Sequence, residues 1–212
     1  MTIRKRLPKY FFAIFLTLSI TLLGFRLTVF DFDFYEKQFE KNMAYEKYGE
    51  EIVDKNSLGL INYLQRGYPL NTEFFNEKEK EHLKDVKRIV DVFVLLFYLS
   101  LILSLLIIFY FIYNKQYNPV LRGLFFSSSS VFVFALILFL LSLNFQNFFI
   151  NFHKAFFSNN LWILNPETDN LVNLFPQEFF ISALRKILLF DLAIAAVFFV
   201  FSLVKLRADI VD

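Results

Sequence analysis

Residues 90–113 read VDVFVLLFYLSLILSLLIIFYFIY, with one charge, at Asp91, and otherwise apolar residues, two serines and three tyrosines. A helix needs roughly 20 apolar residues to cross the hydrocarbon core of a bilayer. Lipid offers no hydrogen-bond partners to a backbone, so a segment of this kind must be helical. Three further stretches share the character, at about 10–30, 124–149 and 187–204, the last slightly short and carrying Asp191. The expectation is an all-α membrane protein, residues 1–212 forming a single integral membrane domain with four transmembrane helices. The first stretch follows a basic start but is too long for a secretory signal, and no Ala-x-Ala-like cleavage site follows it. It is expected to stay as an anchor.

Composition agrees. Hydrophobic residues make up 57% of the 212, too many for an ordinary soluble domain, while the 20% that are charged fall in blocks between the apolar runs. There is no cysteine, which excludes disulfides, a thiolate nucleophile and thiolate metal sites. The 32 phenylalanines fit two uses, lipid-facing surface or an aromatic-lined chamber. No glycine-rich phosphate loop and no nucleic-acid recognition pattern occurs.

Basic residues set the orientation. Arg4, Lys5, Arg6 and Lys9 precede the first span, Lys115 and Arg122 lie between the second and third, and Lys205 and Arg207 follow the fourth. Four crossings put all of them on one side, the cytoplasm, against Lys154, Arg185 and Lys186 on the other. The outer segments, 31–89 and 150–186, are then expected to form a small, mostly helical extracellular cap. Tyr35, Phe39 and Met43 recur at helical spacing within it. Breaks are expected at Gly49, Asn56-Ser57, Gly59 and Gly67-Tyr68-Pro69. Asn76 followed by Glu79 has the form of a capping box, starting a helix that runs on into the second span.

The candidate chemistry rests on two residues. His82 and His153 are the only histidines, one just before the second span and one just after the third, hence on the same outer side. Two groups that titrate near neutrality at one water–lipid boundary suit acid–base work on a lipid-like substrate. At helical spacing His82 shares a face with Val86, Ile89 and Phe93 and points toward protein. Asp85, three residues on, is placed to orient the His82 ring. The phenylalanines around His153, namely Phe149, Phe152 and Phe156, with Phe175, are expected to line the chamber, and Trp162 to anchor at the interface. Arg26 and Asp191 are intramembrane charges that either pair with each other or serve the site, Arg26 as an oxyanion partner; snorkelling of Arg26 to the headgroups is the alternative. His82, His153, Asp85, Asp169 and Glu178 are of metal-ligand type but follow no ligand spacing, so no metal is expected. Two classes stay open on the residues: an acid–base enzyme, and a non-enzymatic membrane adaptor whose cap binds an exported partner. Four spans with two intramembrane charges argue against a transporter.

The blocks Glu81-His82-Leu83-Lys84-Asp85-Val86-Lys87, Phe152-His153 with Phe156-Phe157, Trp162-Ile163-Leu164-Asn165-Pro166 with Asp169 and Leu171, and Leu174-Phe175-Pro176 carry a resemblance over nearly the whole chain. Together with length and span layout, they make it similar to the lipoprotein intramolecular transacylases of Gram-positive bacteria. Asn165 departs from the pattern, which has an acidic residue there. The resemblance implies a multi-pass protein of the bacterial cell membrane, with an extracellular cap over four helices and catalytic His82 and His153. On the residues, Asp85, Arg26, Trp162 and Asp169 are expected to support them. It implies as substrate, beside membrane lipids, a lipoprotein whose N-terminal cysteine carries a diacylglyceryl thioether. The sn-2 acyl chain moves to the cysteine amine, and no cofactor, metal, nucleotide or external acyl donor takes part.

Overall fold

A computed structural model describes residues 7–211; Arg4, Lys5 and Arg6, used above for orientation, lie outside them. All regular structure among these residues is helical: α1 (Leu7–Val29), α2 (Phe32–Lys41), α3 (Ala44–Tyr48), α4 (Glu50–Arg66), α5 (Glu77–Tyr113), α6 (Tyr117–Ser142), α7 (Phe145–Phe156), α8 (Asn170–Leu174) and α9 (Gln177–Val211). Of these, α1, α5, α6 and α9 are long and apolar enough to cross a membrane. The protein is an integral membrane protein of the all-α class. The 37 residues of α5 extend about 55 Å, well beyond the roughly 30 Å of a hydrocarbon core. Its charges crowd Glu77 to Asp91, and none follows as far as Tyr113.

Two expectations about helix continuity change. The helix expected to run unbroken through 124–149 stops at Ser142, and α7 starts at Phe145. Asn144 makes the break, its side chain accepting from the Asn147 N–H at 3.2 Å as an N-cap. The last helix begins at Gln177 rather than near 187, directly after Pro176, where a proline is compatible with a helix start but not its interior.

The chain divides into two compact units. The first takes the chain up to Phe25, Phe93–Leu140 and the chain from Ile187. Its outward side chains are apolar, with Leu105, Leu106, Phe109, Leu136 and Val197 all more than half exposed, as lipid requires. Its helices are joined by hydroxyl hydrogen bonds and by an apolar core. Ser19 donates to Ser100 at 3.0 Å and Thr17 to Ser127 at 3.2 Å, joining α1 to α5 and to α6. Phe12, Leu16 and Ile20 of α1 pack with Val131 of α6 and Ala195 of α9. Two glycines permit close approach: a Cβ at Gly123 would lie 2.2 Å from the Phe12 ring, and one at Gly24 2.2 Å from the buried Asp191 carboxylate.

The second unit comprises Arg26–Val92 and Leu141–Lys186. In it α2, α3 and α4 pack on one another. Asp31 caps α2, accepting from the Phe34 N–H, and pairs with Lys186. Gly49 and Gly67 bound α4 at φ +82° and +72°, conformations that favour glycine. The breaks expected at Asn56-Ser57 and Gly59 do not occur, since α4 runs through them. Asn56 returns its amide to the Ile52 carbonyl at 2.7 Å and receives the Thr72 hydroxyl, so a polar residue is buried inside the helix with its bonds made. Phe34, Tyr35, Phe39, Phe175 and Phe179 form one aromatic cluster.

Candidate active site

The capping box sets the start of α5. The Asn76 side chain accepts from the Glu79 N–H at 3.0 Å, and Glu79 accepts from the Asn76 N–H at 2.7 Å. Glu79 is fully buried and also accepts from the Leu171 N–H. Helix α5 is thereby fixed to α8, and its second turn carries His82 at 6% exposure. The other imidazole belongs to the last turn of α7, where His153 is 8% exposed. An amphipathic 12-residue helix, not a loop, therefore presents it.

The two rings lie 6.1 Å apart, centroid to centroid, inclined by 31°. Phe157 lies against both, 5.0 Å from His82 and 5.4 Å from His153. Phe149 at 4.1 Å and Trp162 at 4.9 Å cover His153, and Phe152 approaches it edge-on at 5.6 Å. Phe156 sits farther out, 4.6 Å from Phe152.

His153 Nδ1 is 2.8 Å from the Phe149 carbonyl oxygen. A carbonyl only accepts, so Nδ1 carries the proton and the neutral ring keeps a basic Nε2. His82 Nδ1 is buried and has no hydrogen-bond partner among the described residues. Such an atom calls for an explanation, and a substrate proton donor or acceptor supplies one. His82 lies on the charged turns of α5, ahead of its uncharged stretch. Burial pushes His82 below the ordinary histidine value, with His153 adding to the shift and Asp85 opposing it. Burial lowers His153 as well, against its bond to the Phe149 carbonyl. Both rings are thus held neutral, ready to accept a proton.

Asp85 does not orient His82 by a hydrogen bond. One of its oxygens takes Arg88 at 2.9 Å and the other the Asn159 amide at 2.8 Å. Asp169 accepts from the Asn165 N–H and the Asn76 amide, each at 2.8 Å, and pairs with Lys78 at 3.5 Å. It fixes the Asn165-Pro166 turn to the start of α5, and hydrogen bonds hold it in the charged form. Phe175 does not join the rings around His153; it belongs to the cluster of Tyr35, Phe39 and Phe179. Arg26 is half-buried in the last turn of α1. Among the described residues, no three His, Asp or Glu side chains converge as metal ligands would.

Three contributors escape sequence reasoning. Phe157 is one more phenylalanine in a run, although it follows α7 directly. Lys78, which donates to the Ile163 carbonyl, and Asn159 act through partners 85 and 74 residues away, which no local pattern reveals.

A sequence profile of the family described as lipoprotein intramolecular transacylase Lit matches residues 10–180. Among solved structures, the chain is similar to an in meso structure of the membrane integral lipoprotein intramolecular transacylase Lit from Bacillus cereus. The TM-score is 0.86 at 24% identity, over 98% of each chain. Two further structures of that protein, each with one histidine substituted, resemble it too. The arginine variant gives a TM-score of 0.78 at 25% identity, over 96% of this chain and 94% of that one. The alanine variant gives 0.79 at 22%, over 98% and 96%. No curated protein matches.

Proposed function

Since the chain belongs to the lipoprotein intramolecular transacylase family and is thus a membrane acyltransferase rather than an adaptor, we propose the following reaction. The sn-2 acyl chain of the diacylglyceryl group moves to the α-amine of the lipoprotein's N-terminal cysteine, with His82 and His153 as acid–base catalysts. The observation that carries this reading is the buried pair of imidazoles 6.1 Å apart. One has its Nδ1–H committed to a backbone carbonyl, the other a ring nitrogen without a partner among the described residues.

The chemistry explains the need for two such groups. The neutral amine attacks the ester carbonyl, and the new N–C bond leaves nitrogen with a proton to lose to one imidazole. The C–O bond then breaks, and the glyceryl oxygen leaves with a proton delivered by an imidazolium. The product is an isomer of the substrate, an N-acyl lyso-form, and neither water nor a second acyl group enters. Attack within one molecule closes a medium-sized ring, so holding its ends together lowers the barrier. The rings of Phe149, Phe152, Phe157 and Trp162 give the histidines a water-poor, shape-restricting wall suited to that. Arg26 or an outer backbone amide is the proposed partner of the developing oxyanion.

The termini face the cytoplasm, and the histidines and the cap segments 31–89 and 150–186 face outward. Lys9, Lys115, Arg122, Lys205 and Arg207 support this orientation. His82 lies about 15 Å along α5 from Val92, where the uncharged stretch begins.

The test is His82→Asn and His153→Asn, each made in purified protein given a diacylated lipopeptide. Because substrate and product have equal mass, N-acylation is read by tandem fragmentation and by loss of the free amine. Each variant should lose about a hundredfold or more of the rate. Full activity in correctly inserted variants would overturn the assignment.

A further inference from the structure

The segment from Phe157 to Trp162 carries two of the rings against the histidines, yet it forms no helix or strand. Such a segment has no backbone ladder to orient it, so its side-chain bonds decide where its rings lie. Asn159 makes two of them. Its Nδ2 donates to Asp85 at 2.8 Å, and its Oδ1 accepts from the Leu161 N–H at 3.0 Å. Both ends of the amide are used, which fixes which end is nitrogen and which oxygen. Asp85 is one turn beyond His82 on α5, and Leu161 immediately precedes Trp162, 4.9 Å from His153. Arg88 holds the remaining Asp85 oxygen, so the carboxylate is presented to Asn159 in a set direction. Two short bonds therefore connect the helix of one histidine to the ring covering the other.

We propose that Asn159 is a positioning residue of the transacylation site, coupling Asp85 on α5 to the Phe157–Trp162 segment and holding both rings against the histidine pair. The assignment rests on the acid–base reading of that pair. Asn159 touches neither imidazole and acts through Trp162 and Phe157. A misplaced wall leaves substrate free to bind but seldom folded into the reactive ring, so kcat falls more than KM.

Charge logic supplies the test. Asn159→Asp sets two carboxylates against each other and removes the donor. Asp85→Asn keeps an acceptor oxygen for Asn159. The double variant Asp85→Asn/Asn159→Asp reverses the bond, with the amide at 85 donating to the carboxylate at 159, which still accepts from Leu161. Trp162 is the only tryptophan, so its emission maximum and acrylamide quenching report the wall directly, without any turnover. For Asn159→Asp, kcat should fall on the order of tenfold with KM little changed, the size of one lost part-buried hydrogen bond to a charged group. Emission should shift to the red and quenching rise. Asp85→Asn, whose amide nitrogen must face either Arg88 or the Asn159 amide, should lose part of both readouts, and the double variant, with the oxygen at 85 toward Arg88 and the nitrogen toward the carboxylate at 159, should regain both kcat and emission. The proposal is overturned if Asn159→Asp leaves emission and kcat unaltered, or if the double variant is no better than Asn159→Asp. Should Asn159→Asp not fold, recovery of folding, emission and kcat in the double variant decides the matter the same way. Activity in His82→Asn or His153→Asn would instead remove the acid–base reading, and the emission pattern would still report on the strut.

Discussion

Two imidazoles held neutral by burial give a definite pH response. Their values are lowered from 6.5, so the free base persists as pH falls through the ordinary histidine range. NMR titration of the two imidazole side chains should therefore give midpoints below pH 6.5, and a midpoint at 6.5 or above for either would contradict the burial of the pair. The same shift acts on stability. Between the folded and unfolded values the unfolded chain binds more protons, so stability is full above about pH 6.5 and declines as pH falls below it. Thermal unfolding in detergent at pH 7.5 and 5.0 measures this, with the lower midpoint expected at pH 5.0. Replacing either histidine with asparagine should flatten the difference.

At the level of elements, the site depends on how two helices are terminated. The capping box at Asn76 and Glu79 sets where α5 starts and hence which way His82 points, and Asn76 also holds Asp169. Asn76→Ala should cost about 1–2 kcal/mol, read as a lower unfolding midpoint, with activity falling through the loosened Asn165–Asp169 turn. A midpoint equal to the parent's would mean the cap carries no weight. This box is visible in the sequence because its two members are three residues apart. The start of α7 at Asn144 is not, because Phe145 and its neighbours continue the apolar composition of α6 and hide the turn. The breaks expected within α4 failed for the opposite reason: Asn56 and Ser57 look like loop residues, but tertiary packing buries them within a helix.

For the molecule as a whole, the lipid-crossing unit combines an apolar core with small residues where helices come closest, and presents large apolar residues outside. Gly123→Val would drive a side chain into the Phe12 ring. The overpacking should cost about 1–3 kcal/mol and lower the unfolding midpoint, whereas valine for the exposed Leu106 should not. Orientation can be tested because the chain has no cysteine. With Ser158→Cys, an impermeant maleimide should label intact cells; with Lys115→Cys, only opened ones. The reverse pattern would invert the orientation inferred from the basic residues.

The sequence alone determined the membrane class, the four apolar helices and the all-helical character. Each is a property of composition or of spacing within one element, and lipid leaves an apolar run of about 20 residues little choice but a helix. Only the tertiary structure decided that α7 presents His153 within 6.1 Å of His82, that Phe157 lies against both rings while Phe175 belongs to another cluster, and that Asp85 serves Asn159 rather than its neighbouring imidazole. Those facts depend on contacts between residues some 70 positions apart. Packing of many side chains at once selects such contacts, and no local pattern records them.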